Sequence, residues 1–152
     1  MIAVIQRVDR ASVLVDNNTV GECEKGLAIL LGVADGDGKQ DADALAAKIA
    51  KLRIFSDENG KMNLSVTDVG GSALVISQFT LLANYAKGNR PDYFGAAAPD
   101  EANALYEYFC RILGGLIGKE VGKGVFGADM LCTFVNNGPV TIVMDSKVLL
   151  KK

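Results

Sequence analysis

Short runs of aliphatic and β-branched residues alternate with turn residues along the first third of the chain. Ile2–Val8, Ala11–Val15 and Thr19–Cys23 are three such runs, and Asp9-Arg10 separates the first two. Gly26–Val33 is almost continuously apolar, which is typical of a strand that is covered on both faces. The pattern predicts a strand pair, compatible with a hairpin, followed by a central strand.

Two later stretches change to the helical period. Asp41 can cap a helix that runs to about Leu52, in which Leu45 and Ile49 lie on one stripe. Pro99 suits the first turn of a second helix, because an amide in that turn has no helical partner to lose. The apolar stripe of the second helix comprises Leu105, Phe109, Ile112, Leu113 and Leu116, and the glycines at 114, 115 and 118 end it.

Between the helices, the stretch Leu74–Leu81 is apolar in its first half and polar in its second. Ser77, Gln78 and Thr80 surround Phe79 there. A buried strand that ends in hydroxyl and amide groups can place them at the rim of a pocket, whereas the simpler interpretation is a core strand that continues into a polar loop. Residues 82–98 are predicted to form a long irregular connection, a kind of segment that often carries function.

The strand pattern returns after the second helix. Residues 119–125, 131–135 and 140–144 are predicted to be extended, and Asn137-Gly138-Pro139 is locally typical of a hairpin turn. Pro139 is unusual at that place because it removes an amide donor from the incoming strand. The order of elements predicts one α/β domain over residues 1–152. We expect three layers, β/β/α, of mixed or antiparallel strands with two main helices on one side.

Composition narrows the chemistry. The 152 residues are 49% hydrophobic and 22% charged, which allows a full core without disulfides or metal. Cys23, Cys110 and Cys132 are odd in number and widely spaced, and the chain has no histidine. We therefore expect buried, inert thiols, no metal site and no cofactor. No apolar stretch approaches the roughly 20 residues of a membrane span and no leader pattern opens the chain, so we expect a cytoplasmic protein.

The absence of histidine also limits catalysis, because histidine is the usual partner of a serine or cysteine nucleophile. A base must be a carboxylate, a lysine or a group on the substrate, unless main-chain dipoles do the work. The net charge of −2 does not by itself favour nucleic-acid binding. The two halves of the chain differ in charge, however: residues 1–80 carry 8 basic and 11 acidic side chains, and residues 81–152 carry 8 basic and 7 acidic side chains. Composition therefore neither supports nor excludes binding to nucleic acid.

Several motifs, taken together, resemble the D-aminoacyl-tRNA deacylase family over about residues 1–145. They are Ser77-Gln78-Phe79-Thr80-Leu81, Asn136-Asn137-Gly138-Pro139-Val140-Thr141, Ala3–Val8, Gly60–Ser65, Gly88-Asn89-Arg90-Pro91 and Phe126–Met130, in family order. The departures from the family pattern are modest: Leu82 stands where an aromatic residue is frequent, Asn137 where aspartate is frequent and Val125 where arginine is frequent. Residues 92–98 are also slightly enlarged, which leaves the fit of the substrate open.

The resemblance implies a homodimer that hydrolyses the ester between a D-amino acid, or glycine, and the 3′ end of tRNA. It implies that Ser77, Gln78, Phe79 and Thr80 line the catalytic pocket. Gly138-Pro139, expected to be cis, would enter the partner subunit's pocket as a chirality gate that leaves no space for an L side chain. The substrate-binding set is completed by Asn136, Phe126 and Met130, and Lys87 and Arg90 are the expected tRNA contacts.

Two mechanisms remain open on the sequence. In the first, the main-chain amides near Phe79 and Thr80 stabilise the oxyanion while a water attacks with help from the terminal ribose 2′-hydroxyl. In the second, Thr80 is the nucleophile, although no base to activate it is evident. A metal-free hydrolase of small esters and a non-catalytic module that binds the tRNA end are the alternative functions.

Overall fold

The chain forms eight strands, three α-helices and one short 3-10 helix in the computed structural model, which describes residues 1–152. In chain order the elements are β1 Ile2–Val15, β2 Asn18–Cys23, β3 Gly26–Gly32, α1 Lys39–Ala50, β4 Phe55–Ser56, β5 Met62–Leu64, β6 Ser72–Ser77, the 3-10 helix Phe79–Leu82, α2 Pro99–Ile117, β7 Gly122–Lys123, β8 Leu131–Asp145 and α3 Ser146–Leu150.

Six of the strands form one mixed sheet. β1 pairs antiparallel with β2, β3 and β8, whereas β3, β6 and β7 run parallel to one another. The sheet also brings β2 back against β7, so it curls almost into a barrel. β4 and β5 form a small separate two-stranded sheet on either side of residues 57–61.

The two faces of β3 and β6 are buried in different cores, because successive strand residues point in opposite directions. Ile29 and Val75 belong to a core of 25 buried residues that α1 and α2 cover. Ala28 and Leu74 belong to a core of 7 buried residues inside the curled sheet. The predicted β/β/α layering is thus confirmed, with both β layers supplied by one folded sheet.

The first two predicted strands are one strand. β1 continues from Ile2 to Val15 through Asp9 and Arg10, because it has partners along its whole length: β3 and then β2 on one side, β8 on the other. The expected hairpin with β2 is confirmed, and its turn residues Asp16 and Asn17 both have positive φ, 49° and 64°.

The predicted hairpin turn at Asn137-Gly138-Pro139 is wrong. Residues 131–145 form a single strand, β8, and both of its halves pair with β1 rather than with each other. Thr141 pairs with Gln6 and Asn136 with Val8, so five residue steps on β8 face two on β1. The extra residues leave the ladder as a bulge, which suits Pro139 because it has no amide to donate to β1.

Both main helices are longer at one end than the sequence pattern predicts. α1 begins at Lys39, and its N-cap is Gly38 instead of the predicted Asp41. Asp41 is the third residue of the helix, where its carboxylate accepts a hydrogen bond from the Gly38 amide at 2.9 Å. α2 runs through Gly114-Gly115 and ends only at Gly118, which has φ 75°. Its buried seam consists of Ala102, Tyr106, Phe109, Cys110, Leu113 and Ile117, so Leu105 and Ile112 lie at its edge and Leu116 outside it. No helix has the length and apolar character needed to cross a membrane.

Candidate active site

The carboxyl ends of the three parallel strands β3, β6 and β7 lie at one edge of the sheet, which is where open α/β sheets usually bind ligands. The segments that follow β6 and β7 meet there around a cavity of about 300 Å³. It is lined by Ile76, Ser77, Gln78, Phe79, Phe126, Gly127, Ala128, Asp129, Met130 and Cys132. Five predicted site residues are therefore brought together: Ser77, Gln78, Phe79, Phe126 and Met130.

The end of β6 is held against β3 before the chain turns. The Gln78 amide donates to the carbonyl of Leu31 at 2.8 Å, which extends the parallel ladder by one residue. The 3-10 helix then packs directly over Gly32, where a Cβ atom would lie 2.7 Å from Leu82 Cδ2 and 2.9 Å from the Gln78 carbonyl oxygen. Glycine at the end of β3 is thus what allows this close approach.

Two adjacent main-chain amides at the cavity wall have no partner in the chain. The amide of Leu81 donates to the carbonyl of Gln78 at 3.2 Å, but the amides of Phe79 and Thr80 donate no hydrogen bond. They belong to the first turn of the 3-10 helix, where amides have no helical acceptor. Fixed donors of this kind can stabilise an oxyanion without reorganisation.

The side chain of Thr80 is exposed and does not line the cavity. Its hydroxyl oxygen accepts a hydrogen bond from the Gln78 side-chain amide, and no ionisable group contacts it by hydrogen bond. Among the cavity residues only Asp129 and Cys132 are ionisable. No group of three or more histidine, cysteine, aspartate or glutamate side chains is placed to hold a metal ion.

The cysteines divide into two kinds. Cys23 and Cys110 are buried as expected, and burial raises the pKa of their thiols to about 11 and about 12. Cys132 is exposed and lines the cavity, so the expectation of a third buried thiol is wrong. Cys132 is exposed because β8 is an edge strand and no other part of the chain covers its outer side at this position. Partial desolvation still raises the pKa of Cys132.

A wider cavity of about 680 Å³ continues beyond Phe79 and Phe126. Tyr93 and Phe94 line it, and the Tyr93 ring packs edge-on against Phe79 with the centroids 4.9 Å apart. Sequence reasoning missed these two aromatics, although their position in the long connection 82–98 was a signal. It also missed Tyr106 on α2, whose hydroxyl donates to the Val75 carbonyl of β6 at 2.8 Å and whose ring lies 6.2 Å from Phe126. Burial raises the pKa of Tyr106.

The Gly138–Pro139 peptide bond is cis, as the resemblance implied, and Gly138 has φ 142°, which favours glycine. These residues are exposed and line neither cavity. In the sheet register, Ser77 on β6 is separated from Gly138 and Pro139 on β8 by three strand-to-strand steps and by about four residues along the strand direction. This corresponds to a distance on the order of 20 Å. A single chain therefore does not bring Asn136, Gly138 or Pro139 to the cavity.

The bulge that carries Gly138 and Pro139 is fixed by side chains on both sides. Arg7 donates through Nε to the Asn137 carbonyl and through Nη1 to the Ile54 carbonyl, both at 2.8 Å. The Asn136 side-chain oxygen accepts from the Val140 amide at 2.9 Å. The Asn137 side chain donates to Asp9 at 2.8 Å.

The predicted tRNA contacts Lys87 and Arg90 lie on a loop that projects from the long connection. Asn84 and Asp92 close the loop through two main-chain hydrogen bonds of 2.8 and 3.0 Å. Both cations are exposed, and neither belongs to any of the three ion pairs of the chain.

Known proteins match the chain over nearly its whole length. The family model described as D-Tyr-tRNA(Tyr) deacylase matches residues 4–145. A D-aminoacyl-tRNA deacylase of Anaeromyxobacter dehalogenans is 56% identical over 149 residues, 98% of this chain and 99% of the relative. One of Phocaeicola vulgatus is 54% identical over 147 residues, 97% and 98% of the two chains.

A solved structure gives the same fold. The c-Myc DNA Unwinding Element Binding Protein superposes with a TM-score of 0.90 and 37% identity, covering 95% of this chain and 98% of its own. The matched sequence includes all of the strands and loops that form the cavity and all but the first two residues of β1. The chain belongs to the D-aminoacyl-tRNA deacylase family and is a hydrolase of that class.

Proposed function

We propose that the chain hydrolyses the ester of D-aminoacyl-tRNA, and of mischarged glycyl-tRNA, by oxyanion stabilisation from the main-chain amides of Phe79 and Thr80. The observation that carries the proposal is the pair of unpaired amides beside a cavity in a chain without histidine. The aminoacyl group occupies the smaller cavity and the terminal adenosine lies at the inner end of the wider one, beside Phe79 and Phe126, so that the ester sits between them at Phe79. The reaction takes place in the cytoplasm, where tRNA is charged and used.

The chemical step needs no strong base. A water oxygen attacks the ester carbonyl carbon, and the resulting oxyanion accepts hydrogen bonds from the two amides. The bond between that carbon and the ribose 3′ oxygen then breaks, and the water's proton passes to the leaving oxygen by way of the 2′-hydroxyl. An aminoacyl ester is already activated, so positioning and electrostatic stabilisation suffice.

In this proposal Thr80 contributes its main-chain amide, and its hydroxyl is not the nucleophile. Its hydroxyl accepts from Gln78, and no base is positioned to take its proton. We expect the Thr80→Ala variant to keep at least a third of kcat for D-Tyr-tRNA. For the unchanged chain, a D-Tyr-tRNA that ends in 2′-deoxyadenosine should be hydrolysed with a kcat lower by about 100-fold or more, which is the range that general acid–base catalysis supplies. Near-complete loss in Thr80→Ala with unchanged tRNA affinity would instead establish the nucleophile mechanism.

Chirality is controlled by a second copy of the chain. The Gly138–Pro139 bulge is rigidly held yet faces outward on a different part of the molecule from the cavity. It lies on a 15-residue edge strand that also exposes Leu131 and Val143 to 69% and 68%. Long apolar edges of this kind are normally paired or covered. We infer a homodimer in which the bulge of each copy enters the partner's cavity and excludes L side chains by contact with main-chain atoms.

A deacylation assay with D-Tyr-tRNA, L-Tyr-tRNA and Gly-tRNA tests the function. We expect release of D-tyrosine and glycine and no release of L-tyrosine. Equal hydrolysis of the D and L substrates would contradict the chirality gate. Hydrolysis of simple tyrosine esters at the same rate would favour a small-ester hydrolase, and tRNA binding without release would favour a binding module.

A further inference from the structure

Two aromatic side chains stand out on the surface of the long connection. Phe94 is 91% exposed and Tyr85 is 78% exposed, which places them among the most exposed large apolar side chains of the chain. Transfer of an aromatic ring from water into contact with another apolar or aromatic surface is favourable. A single exposed ring needs no explanation, but a ring at the mouth of a cavity is a candidate contact for a ligand.

Main-chain hydrogen bonds hold the segment around Phe94 at both ends. The Gly95 carbonyl accepts from the Asp35 amide at 2.9 Å, and the Ala97 amide donates to the Val33 carbonyl at 3.0 Å. On the other side, the Asp92 amide donates to the Asn84 carbonyl at 3.0 Å. The ring of Phe94 is therefore presented by a fixed backbone.

The aromatic surface is continuous with the candidate active site. Phe94 lies at the outer rim of the 680 Å³ cavity with its ring 91% exposed, whereas Phe79 lines both that cavity and the smaller one where the ester is placed. Tyr85 lines neither cavity. A ligand that extends outward from the reacting group past Phe79 therefore reaches Phe94.

The charges around this surface favour an anionic ligand. Lys87 and Arg90 lie at the tip of the adjoining loop without an ion-pair partner. Of the nearby acids, Asp92 is engaged by Asn84, and Asp35 is the one carboxylate that lines the wider cavity. Aromatic faces next to unpaired cations are the usual means of binding single-stranded nucleic acid, in which bases stack and phosphates pair.

We propose that Phe94 stacks the base of the nucleotide that precedes the terminal adenosine, while Lys87 and Arg90 attract the phosphates of the same single strand. The inference rests on the proposed function, since it assumes that the terminal adenosine occupies the site. It assigns to this chain a second base subsite, outside the cavity that holds the reacting ester. The alternative occupant, a second copy of the chain seated on the same aromatic surface, is an outcome of the test.

The test compares two substrates that differ by one nucleotide. D-tyrosyl-adenosine reaches only the site itself, whereas the D-tyrosyl ester of cytidylyl-adenosine also reaches the subsite. The kcat/KM of each is measured for the unchanged chain and for Phe94→Leu, Phe94→Trp and Tyr85→Leu. Phe94→Leu keeps apolar area but removes the π face, Phe94→Trp restores it, and Tyr85→Leu is the matched control in the same connection, residues 82–98.

We expect Phe94→Leu to lower kcat/KM for the dinucleotide ester by about 5- to 100-fold, the effect of losing one base–aromatic stack. The same variant should change kcat/KM for D-tyrosyl-adenosine by no more than about twofold, because this substrate lacks the base that stacks on Phe94. Phe94→Trp and Tyr85→Leu should behave like the unchanged chain on both substrates.

Three results would overturn the inference while leaving the proposed function intact. They are an equal loss for both substrates, no gain in kcat/KM from the added cytidine in the unchanged chain, and a change of molecular mass in solution caused by Phe94→Leu. The last result would assign the surface to contact between copies. If the unchanged chain releases D-tyrosine from no substrate, including D-Tyr-tRNA, the proposed function fails and the subsite fails with it.

Discussion

Residues 77–80 and residues 136–140 are the two segments to which the proposed function assigns main-chain roles, and the chain holds them in place by different means. Residues 77–80 follow directly from β6, in which Leu74 and Val75 are fully buried. Because these two side chains lie in different cores, packing on both faces of the strand holds residues 77–80 in place. The bulge at Gly138–Pro139 lies on an exposed edge strand and is tied by side-chain hydrogen bonds. Damage to the first region should therefore appear in folding, and damage to the second in activity and selectivity.

The largest effect is expected from the strand that supports the cavity. Leu74→Ala removes a side chain that is 0% exposed in the core inside the curled sheet. The free energy of unfolding should fall by about 2–5 kcal/mol, because both the transfer of the side chain and the residual cavity contribute. Urea denaturation, with an unchanged slope and a lower midpoint, measures the loss.

Leu116→Ala on α2 is the matched control for Leu74→Ala. Leu116 is 46% exposed, so its loss should lower the free energy of unfolding by about 1 kcal/mol or less. Similar losses for the two leucines would contradict the view that burial on both faces of β6 fixes the cavity wall.

An effect of intermediate size is expected at the carboxyl end of β8. Burial raises the pKa of Asp41, but the hydrogen bonds from the Gly38 amide, the Ser146 hydroxyl and the Lys152 ammonium outweigh it and lower the pKa to about 2. The folded-state pKa thus lies below the ordinary value of 3.8. The resulting stability, about 2–3 kcal/mol, is fully present above about pH 4 and is lost as the pH falls to about 2.

Asp41→Asn checks this assignment, because it removes the titrating group that anchors Ser146. The free energy of unfolding of the variant should be lower by about 2–3 kcal/mol at pH 7, with little difference near pH 2. A variant that keeps the full acid dependence of the unchanged chain between pH 4 and pH 2 would place the responsible carboxylate elsewhere.

The smallest effect on stability, and the clearest one on selectivity, is expected at Arg7. Arg7→Ala removes two hydrogen bonds to the carbonyls of Asn137 and Ile54, one exposed and one partly buried, which together contribute about 1–2 kcal/mol to the free energy of unfolding. Much of that energy serves to position the exposed bulge. We expect kcat/KM for D-Tyr-tRNA to fall about 10- to 100-fold, with measurable release of L-tyrosine, since 1.4 kcal/mol corresponds to tenfold.

Asn137→Ala is the control for Arg7→Ala, because its side chain bonds only to Asp9 on the surface. We expect kcat/KM to fall no more than about threefold, because this hydrogen bond is exposed to water and does not hold the Asn137 carbonyl. If Arg7→Ala leaves both the rate and the D/L ratio unchanged, the bulge is not the chirality gate.

The sequence determined the elements whose signal is local. The buried strand Ser72–Ser77 and the central strand β3 follow from continuous apolar runs, and the start of α2 follows from Pro99, because each pattern reports burial or capping directly. The motifs also determined the family and five residues of the cavity.

Only the tertiary structure decided features that depend on a distant partner. Asn137-Gly138-Pro139 has the local chemistry of a hairpin turn, but the length of β1 makes both flanks pair with one strand, so the same residues form a bulge. Cys132 and Tyr106 give no local signal, because their roles depend on which strand lies at the edge and which carbonyl faces α2. Local sequence specifies how a segment is disposed to fold, whereas exposure and pairing are set by the neighbours that the fold supplies.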